Sequence, residues 1–253
     1  MDTRIKDFEI VRKGLAGGCT LLYLRPVDGV LPEIGVGCFA QVMVEAPGVF
    51  LRRPISVCDV VDDCILLMVK PVGNATGHLV ALPIGSRVNM IVPLGHGFTL
   101  SAANTSALLV GGGVGIAPLV ALSRALLERG VCVTVALGAR SSIEIQGVEA
   151  LFPDGVEVDV STDDGSVGHH GLITKSPVFS RSYDMIYTCG PTPMMKAVAS
   201  IAAAREIPCE ASLENRMACG LGACLCCVED TQQGNVCVCT VGPVFNISKL
   251  KWS

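Results

Sequence analysis

Residues 214–245 read ENRMACGLGACLCCVEDTQQGNVCVCTVGPVF, and the rest of the chain can be placed by working outward from them. Six of the thirteen cysteines lie here. Cys219, Cys224 and Cys227 follow a C-x4-C-x2-C pattern. That is the spacing of a plant-type [2Fe–2S] site, which takes a fourth cysteine from farther along the chain. Cys239 is the candidate, because Gly242-Pro243 follows it as a turn able to close the loop. Four thiolates must wrap a compact sulfide-bridged iron pair, and Gly220 and Gly222 permit the tight backbone this demands. Two further thiols keep other ligand sets open. Cys226 could form a C-x-C pair with Cys224, and Cys237 could stand in for Cys239. Tetrahedral zinc is the competing chemistry, although zinc ribbons pair two C-x2-C knuckles and only Cys224 and Cys227 form one. A disulfide staple fits less well, since nothing in the chain signals export.

Composition narrows the class. At 253 residues the chain allows one large domain or two of ordinary size. Hydrophobic residues make up 50%, enough for a substantial core, while aromatics are only 4%, so aliphatics and glycine do most of the packing. A net charge of −4 offers no basic footprint, which argues against nucleic acid as a partner. The opening residues MDTRIKDFEIVRKG are polar and charged, unlike a secretory signal. Apolar runs are short and broken by glycine and proline, so no membrane span is expected. Many thiols without an export signal predict a cytoplasmic protein. Cys19, Cys38, Cys58, Cys64, Cys132, Cys189 and Cys209 are scattered in apolar segments, and most of them read as small core residues.

Over residues 1–100, short β-rich runs are separated by Gly, Pro and Asp clusters. They are Phe8–Val11, Cys19–Leu24, Ala40–Val44, Ile55–Val61, Ile65–Val69 and Arg87–Ile91. This predicts an antiparallel barrel or sandwich with one short helical turn near Thr76–Leu82. Two features there suit an anion. In Arg52-Arg53-Pro54-Ile55-Ser56 a proline-fixed loop brings an arginine fork and a hydroxyl together. Gly73-Asn74-Ala75-Thr76-Gly77-His78-Leu79 opens the short helix. Either alone also fits a solvated strand edge or an ordinary helix cap.

The pattern changes over residues 101–210. Strands are expected at Ala107–Val110, Val131–Leu137, Val156–Val160 and Tyr183–Thr188, and helices at Ala117–Arg129 and Pro193–Arg205. Alternating strands and helices predict a parallel doubly wound sheet, whose ligands lie beyond the carboxyl ends of the strands. Gly111-Gly112-Gly113-Val114-Gly115 and Cys189-Gly190-Pro191 both fall at those ends. The glycine run lacks G-x-G-x-x-G spacing, so it is either a different pyrophosphate loop or a tight turn. Arg140 could meet an adenosine 2′-phosphate or simply be solvated. Thr162-Asp163-Asp164-Gly165-Ser166 reads as a turn that could border a nicotinamide, and His169 and His170 as a polar surface loop.

Arg53-Pro54-Ile55-Ser56, then Gly77, GGGVGIAPL at 111–119 and YTCGPTPM at 187–194, in this order, resemble the ferredoxin–NADP reductase superfamily. With LENRMACGLGACLCC at 213–227 and CTVGPVF at 239–245, the chain more closely resembles the electron-transfer subunits of B-type bacterial dihydroorotate dehydrogenases. The resemblance implies a flavin-binding antiparallel β-barrel over 1–100, an NAD-binding α/β doubly wound parallel sheet over 101–210 and a small [2Fe–2S] lobe over 211–253. It puts Arg53, with Pro54 and Ile55, on an FAD phosphate and Ser56 near flavin N5. Lys70, Pro71, Val72, Gly77 and His78 would meet the rest of FAD. Gly111, Gly112, Gly113 and Gly115 would form the dinucleotide loop. Cys189, with Gly190 and Pro191, would pack near the reacting nicotinamide carbon without being a nucleophile. Cys219, Cys224, Cys227 and Cys239 would hold the cluster.

Three positions depart from the family pattern. Cys226 stands where glycine or alanine is usual, His78 where threonine or serine is common, and Cys237 is an added thiol. The activity implied is an electron relay between NAD(H) and an FMN-bearing catalytic subunit that interconverts dihydroorotate and orotate in pyrimidine (UMP) synthesis. A heterotetramer with two copies of each subunit is implied as well. The alternatives are a reductase subunit for a sulfite reductase, a hydrogenase or ferredoxin, and a zinc-stabilised nucleotide-binding protein without redox chemistry.

Overall fold

The computed structural model describes residues 3–101 and 104–252; the expected outer limits at residues 1 and 253 lie outside them. Six strands, β1 (Arg4–Ala16), β2 (Cys19–Pro26), β3 (Phe39–Val42), β4 (Arg53–Val61), β5 (Cys64–Val69) and β6 (Arg87–Leu94), close into an antiparallel barrel in the order β1-β2-β5-β4-β3-β6. Alternation along each strand decides what is inside. Phe8, Ile10, Leu22, Leu24, Ala40, Val42, Ile65, Leu67 and Met90 fill one buried core. Helix α1 (Asn74–Ala81) buries Ala75 and Leu79 against it. This helix starts two residues earlier than the expected turn at Thr76. Gly73 caps it, and the Thr76 hydroxyl accepts the N–H groups of Val72 and Gly73.

The second unit begins with β7 (Ser106–Gly112) and α2 (Ala117–Leu127), followed by β8 (Cys132–Ala139), β9 (Glu157–Thr162), β10 (His169–His170), β11 (Met185–Cys189), α3 (Thr192–Ala204) and β12 (Cys209–Ser212). The chain then makes a hairpin of β13 (Val228–Thr231) and β14 (Gly234–Cys237), a short helix α4 (Val238–Val241) and a last strand β15 (Val244–Asn246). Seven of these strands form one sheet in the order β10-β9-β8-β7-β11-β12-β15. Its pairings are parallel except β12 with β15, which are antiparallel. The expected parallel sheet thus gains an antiparallel edge. The expected polar loop at His169-His170 is also a short edge strand, with both side chains exposed and His169 Nε2 lying 3.1 Å from Asp159 Oδ1. The run Ala107–Val110 is apolar throughout because both of its faces are covered.

Helix α2 lies between the two units. Its Leu119, Leu122 and Leu126 share a core with Leu21, Leu66 and Met68 of the barrel and Leu109 and Val135 of the sheet. Arg124 of α2 reaches across to buried Asp59 of β4 with Nη2–Oδ2 at 2.8 Å. The connection between the units is pinned as well: Thr99 N–H donates to Glu210 (2.9 Å), and the Tyr187 hydroxyl donates to the Thr99 carbonyl (2.7 Å). The cysteine lobe leaves the sheet at β12 and returns to it at β15. Its core joins Cys227, Val238, Cys239 and Phe245 to Phe39, Ile91 and Leu94 of the barrel.

Candidate cofactor and electron-transfer site

In the lobe, backbone donors converge on sulfur. Leu221 N–H points at Cys219 Sγ (3.3 Å), Gly222 N–H at Cys239 Sγ (3.2 Å) and Cys239 N–H at Cys227 Sγ (3.4 Å). Gly220 and Gly222 make this possible with φ of 72° and 81°, a region where a side chain would strain the turn. N–H dipoles favour thiolate over thiol, and Cys219 is drawn down to about 6, first by the Leu221 N–H and then by that of Cys224. Burial pushes Cys239 the other way, to about 12, with Cys227 beside it. Cys219 has Cys224 beside it, and Cys227 has both Cys239 and Cys237 beside it. Among the described residues no three His, Cys, Asp or Glu side chains converge as ligands of a single ion. Four cysteine thiols at this spacing, with backbone N–H groups aimed at three of their sulfurs, fit a [2Fe–2S] cluster. Cys226 is exposed; Cys237 is half-buried, pairs in register with Val228 and faces Cys227.

The barrel motif separates two arginines that the sequence left as one fork. Arg52 is committed to the fold, donating to the carbonyls of Gln41 and Asn89 (both 3.2 Å) and to the Asn89 side chain (2.6 Å). Arg53 merely folds back on the carbonyls of its own loop, Leu51 (2.6 Å) and Arg52 (3.3 Å). An incoming phosphate can take its guanidinium without breaking the barrel. Pro54, Ile55 and Ser56 continue along β4 opposite Gln41, Ala40 and Phe39. Pro71 and Val72 are exposed, Gly77 faces open space, and His78 is exposed with its Nδ1 donating to the Asn74 carbonyl (3.0 Å).

The two loops at the carboxyl end of the sheet interlock. Gly111 and Gly112 finish β7, and Gly113 (φ 57°) turns the chain through a 3-10 turn into α2. A Cβ on Gly115 would stand 2.5 Å from Gly190 Cα, and one on Gly112 would stand 2.9 Å from Pro191 Cδ. These glycines are the condition for the two motifs to touch. Cys189 behind them is fully buried; burial lifts its thiol far above the ordinary range, and nearby Glu214 adds to this. Burial of this kind disfavours the thiolate.

Beside the glycines opens a cleft of about 400 Å³ lined by Gly112, Gly113, Arg140, Glu144, Asp163 and Pro191, with Lys70 entering from the barrel. Lys70, expected against FAD, is paired here with Glu144 (3.1 Å). Glu144 also takes Arg140, with Nη2 at 2.5 Å, Nε at 3.2 Å and the backbone N–H at 3.1 Å. The Arg140 bonds, then Lys70, hold the Glu144 carboxyl down to about 2. The sequence reading passed over Glu144. Its position four residues after Arg140 was the available signal.

Comparisons with known proteins fall on this same frame. Residues 214–251 match the iron-sulfur cluster binding domain of dihydroorotate dehydrogenase B. The chain is 38% identical over 226 residues to the dihydroorotate dehydrogenase B (NAD(+)) electron transfer subunit of Shouchella clausii, covering 85% of each chain. It is also 38% identical to that of a Geobacillus strain, covering 91% of this chain and 96% of the relative. The chain belongs to the dihydroorotate dehydrogenase B electron transfer subunit family. Among solved structures, an NADH-dependent reduced ferredoxin-NADP oxidoreductase is similar with a TM-score of 0.86 and 29% identity, over 97% of this chain and 90% of that one. A ferredoxin reductase of carbazole 1,9a-dioxygenase, at 22% identity and a TM-score of 0.71, shares the fold over 82% of this chain and 68% of its own. Within the dihydroorotate dehydrogenase B family frame, the matched domain spans all four candidate ligands, and the described residues include no helix long and apolar enough to cross a membrane.

Proposed function

We propose that this chain is the NAD-linked electron-transfer subunit of a dihydroorotate dehydrogenase. In this role it carries electrons between NAD(H) and an FMN-bearing catalytic partner that interconverts dihydroorotate and orotate in pyrimidine synthesis. When bound, FAD exchanges a hydride with NAD(H) and single electrons with the [2Fe–2S] cluster, which passes them to and from the partner. Arg53 would hold the FAD phosphate, Pro54, Ile55 and Ser56 would line the flavin, and Lys70, Pro71, Val72, Gly77 and His78 would border its remainder. Gly111, Gly112, Gly113, Gly115, Gly190 and Pro191 would frame the dinucleotide. The protonated Cys189 would pack behind the nicotinamide. Cys219, Cys224, Cys227 and Cys239 would hold the cluster. Proposed unit limits are 1–100, 101–210 and 211–253, and two copies of each subunit are proposed for the assembly. A reducing cytoplasm is the proposed location, in keeping with thirteen cysteines outside any disulfide.

The observation that carries this reading is the set of cysteine sulfurs under aimed N–H groups, built on the same frame as the dinucleotide cleft. The test is an anaerobic preparation assayed for flavin, iron and acid-labile sulfide, then mixed with the catalytic partner. Iron and sulfide near parity, flavin bands, and NAD-linked orotate formation that stops when this chain is omitted are the expected results. A colourless zinc protein, or orotate formation undiminished without the chain, would sink the proposal.

A further inference from the structure

Gln41 is completely buried, yet neither Nε2 nor Oε1 of its amide meets a partner. Native proteins seldom leave an amide in that state, and one that persists points to a partner outside the polypeptide. Strand alternation shows which way it faces. Ala40 and Val42 point into the barrel core, while Phe39, on the same face as Gln41, packs into the core shared with the cysteine lobe. Gln41 thus points at the lobe. The glycine geometry locates its tip: a Cβ built on Gly220 would stand 2.6 Å from Gln41 Cγ and 2.9 Å from its Nε2. The amide fills the room that Gly220 leaves by having no side chain, one residue from Cys219.

We infer that the Gln41 amide donates an N–H to sulfur of the [2Fe–2S] cluster on its Cys219 side, making this barrel residue a positioning residue that tunes the cluster. The inference rests on the iron–sulfur assignment above. Hydrogen bonds to cluster sulfur are one of the determinants of its potential. The reduced cluster carries one more negative charge, so a donor stabilises the reduced form more and raises the potential. Gln41 is not a ligand, and its amide does not titrate in the working range. Its effect is thereby separable from loss of the metal.

The test uses the complete chain loaded with FAD and cluster, compared with Q41L and with Q41M, which keep bulk and remove the amide. Redox titration followed by electron paramagnetic resonance gives the cluster midpoint, and flavin absorbance in the same sample gives the FAD midpoint. The expected result is a more negative cluster midpoint, with reduced over oxidised cluster falling about tenfold at fixed potential, or 59 mV for one electron. Iron, sulfide and the FAD midpoint should stay as in the parent. An unmoved cluster midpoint at full iron content, or a shift in FAD instead, overturns the inference. Should both variants fail to retain iron, the parent chain still decides. With glutamine amides labelled with ¹⁵N, pulsed resonance of the reduced cluster should show a weakly coupled ¹⁵N, and its absence overturns the proposal.

Discussion

The dinucleotide cleft and the cysteine lobe lie in one chain, but they are completed in different ways. In the cleft, backbone meets backbone. Gly115 packs on Gly190, Gly112 on Pro191, and both cations at the mouth, Lys70 and Arg140, are already paired to Glu144. The lobe is organised around atoms the polypeptide does not supply. Three N–H groups aim at sulfur, several thiols crowd together, and a buried amide lacks a partner. A site of the first kind is finished by folding, and its ligand can come and go. A site of the second kind is finished by its metal, so metal retention and local stability become one quantity.

The largest expected effect breaks the lobe alone. Cys227→Ser removes a buried sulfur that accepts the Cys239 N–H and neighbours two other thiols. Iron and sulfide should fall to background, and electron delivery to the partner with them, while flavin content and hydride exchange with NADH persist. Loss of flavin along with the iron would show that the two sites are not independent. The mirror experiment is Gly115→Ala, whose new Cβ would sit 2.5 Å from Gly190 Cα. Such overpacking costs about 1–3 kcal/mol, which calorimetry would register as a drop of about 2–4 °C in Tm per kcal/mol. ADP-ribose binding should weaken and cluster content hold; unchanged ADP-ribose affinity would refute backbone apposition as the basis of the cleft.

A smaller effect concerns selectivity. Arg140 is engaged by Glu144 and therefore not free for a 2′-phosphate. Glu144→Gln should release Arg140 and Lys70 and shift the affinity ratio toward 2′-phospho-ADP-ribose. Exposed pairs of this kind are worth about 0.2–1 kcal/mol, so the change is at most about fivefold. Equal ratios in parent and variant would remove Glu144 from selectivity. The smallest effect is with pH. The carboxyl of Glu144 is held down to about 2, below its value of about 4.3 in an unfolded chain. Its contribution to stability is therefore fully present above that unfolded value and is lost as pH falls toward 2. The Tm gap between the parent and Glu144→Gln should stay constant from neutral pH to about 5 and close below about 4. A gap that varied near neutrality would point to another group.

The six barrel strands were legible because each runs through β-favouring residues between turn signals, and the main strands and both long helices of the sheet because their apolar patterns are continuous. Strand β12 was not. Cys-Glu-Ala-Ser has no β-branched residue, and it is a strand because β11 needs a neighbour. Strand β15 takes its direction from the return of the lobe, a tertiary fact. The cysteine ligands and both glycine motifs stand out as patterns in the chain. Lys70 paired to Glu144 spans 74 positions, and Gln41 beside Gly220 is a contact between distant segments, so neither has a local signature. Arg52 and Arg53 are adjacent and identical in chemistry. Only their partners tell the structural one from the available one.

Because β12 leads into the cysteine segment and antiparallel β15 leads out of it, the whole lobe is topologically a long loop on a hairpin stem. Loops change length and content at little cost to the scaffold that carries them. The lobe is therefore an exchangeable cartridge. The stem contacts, such as the Leu213 N–H to the Pro243 carbonyl at 2.9 Å, form the socket. A different one-electron carrier grafted between Leu213 and Pro243 would inherit the position of this one, provided it brought an apolar face of its own to Phe39, Ile91 and Leu94 and a neighbour for the Gln41 amide.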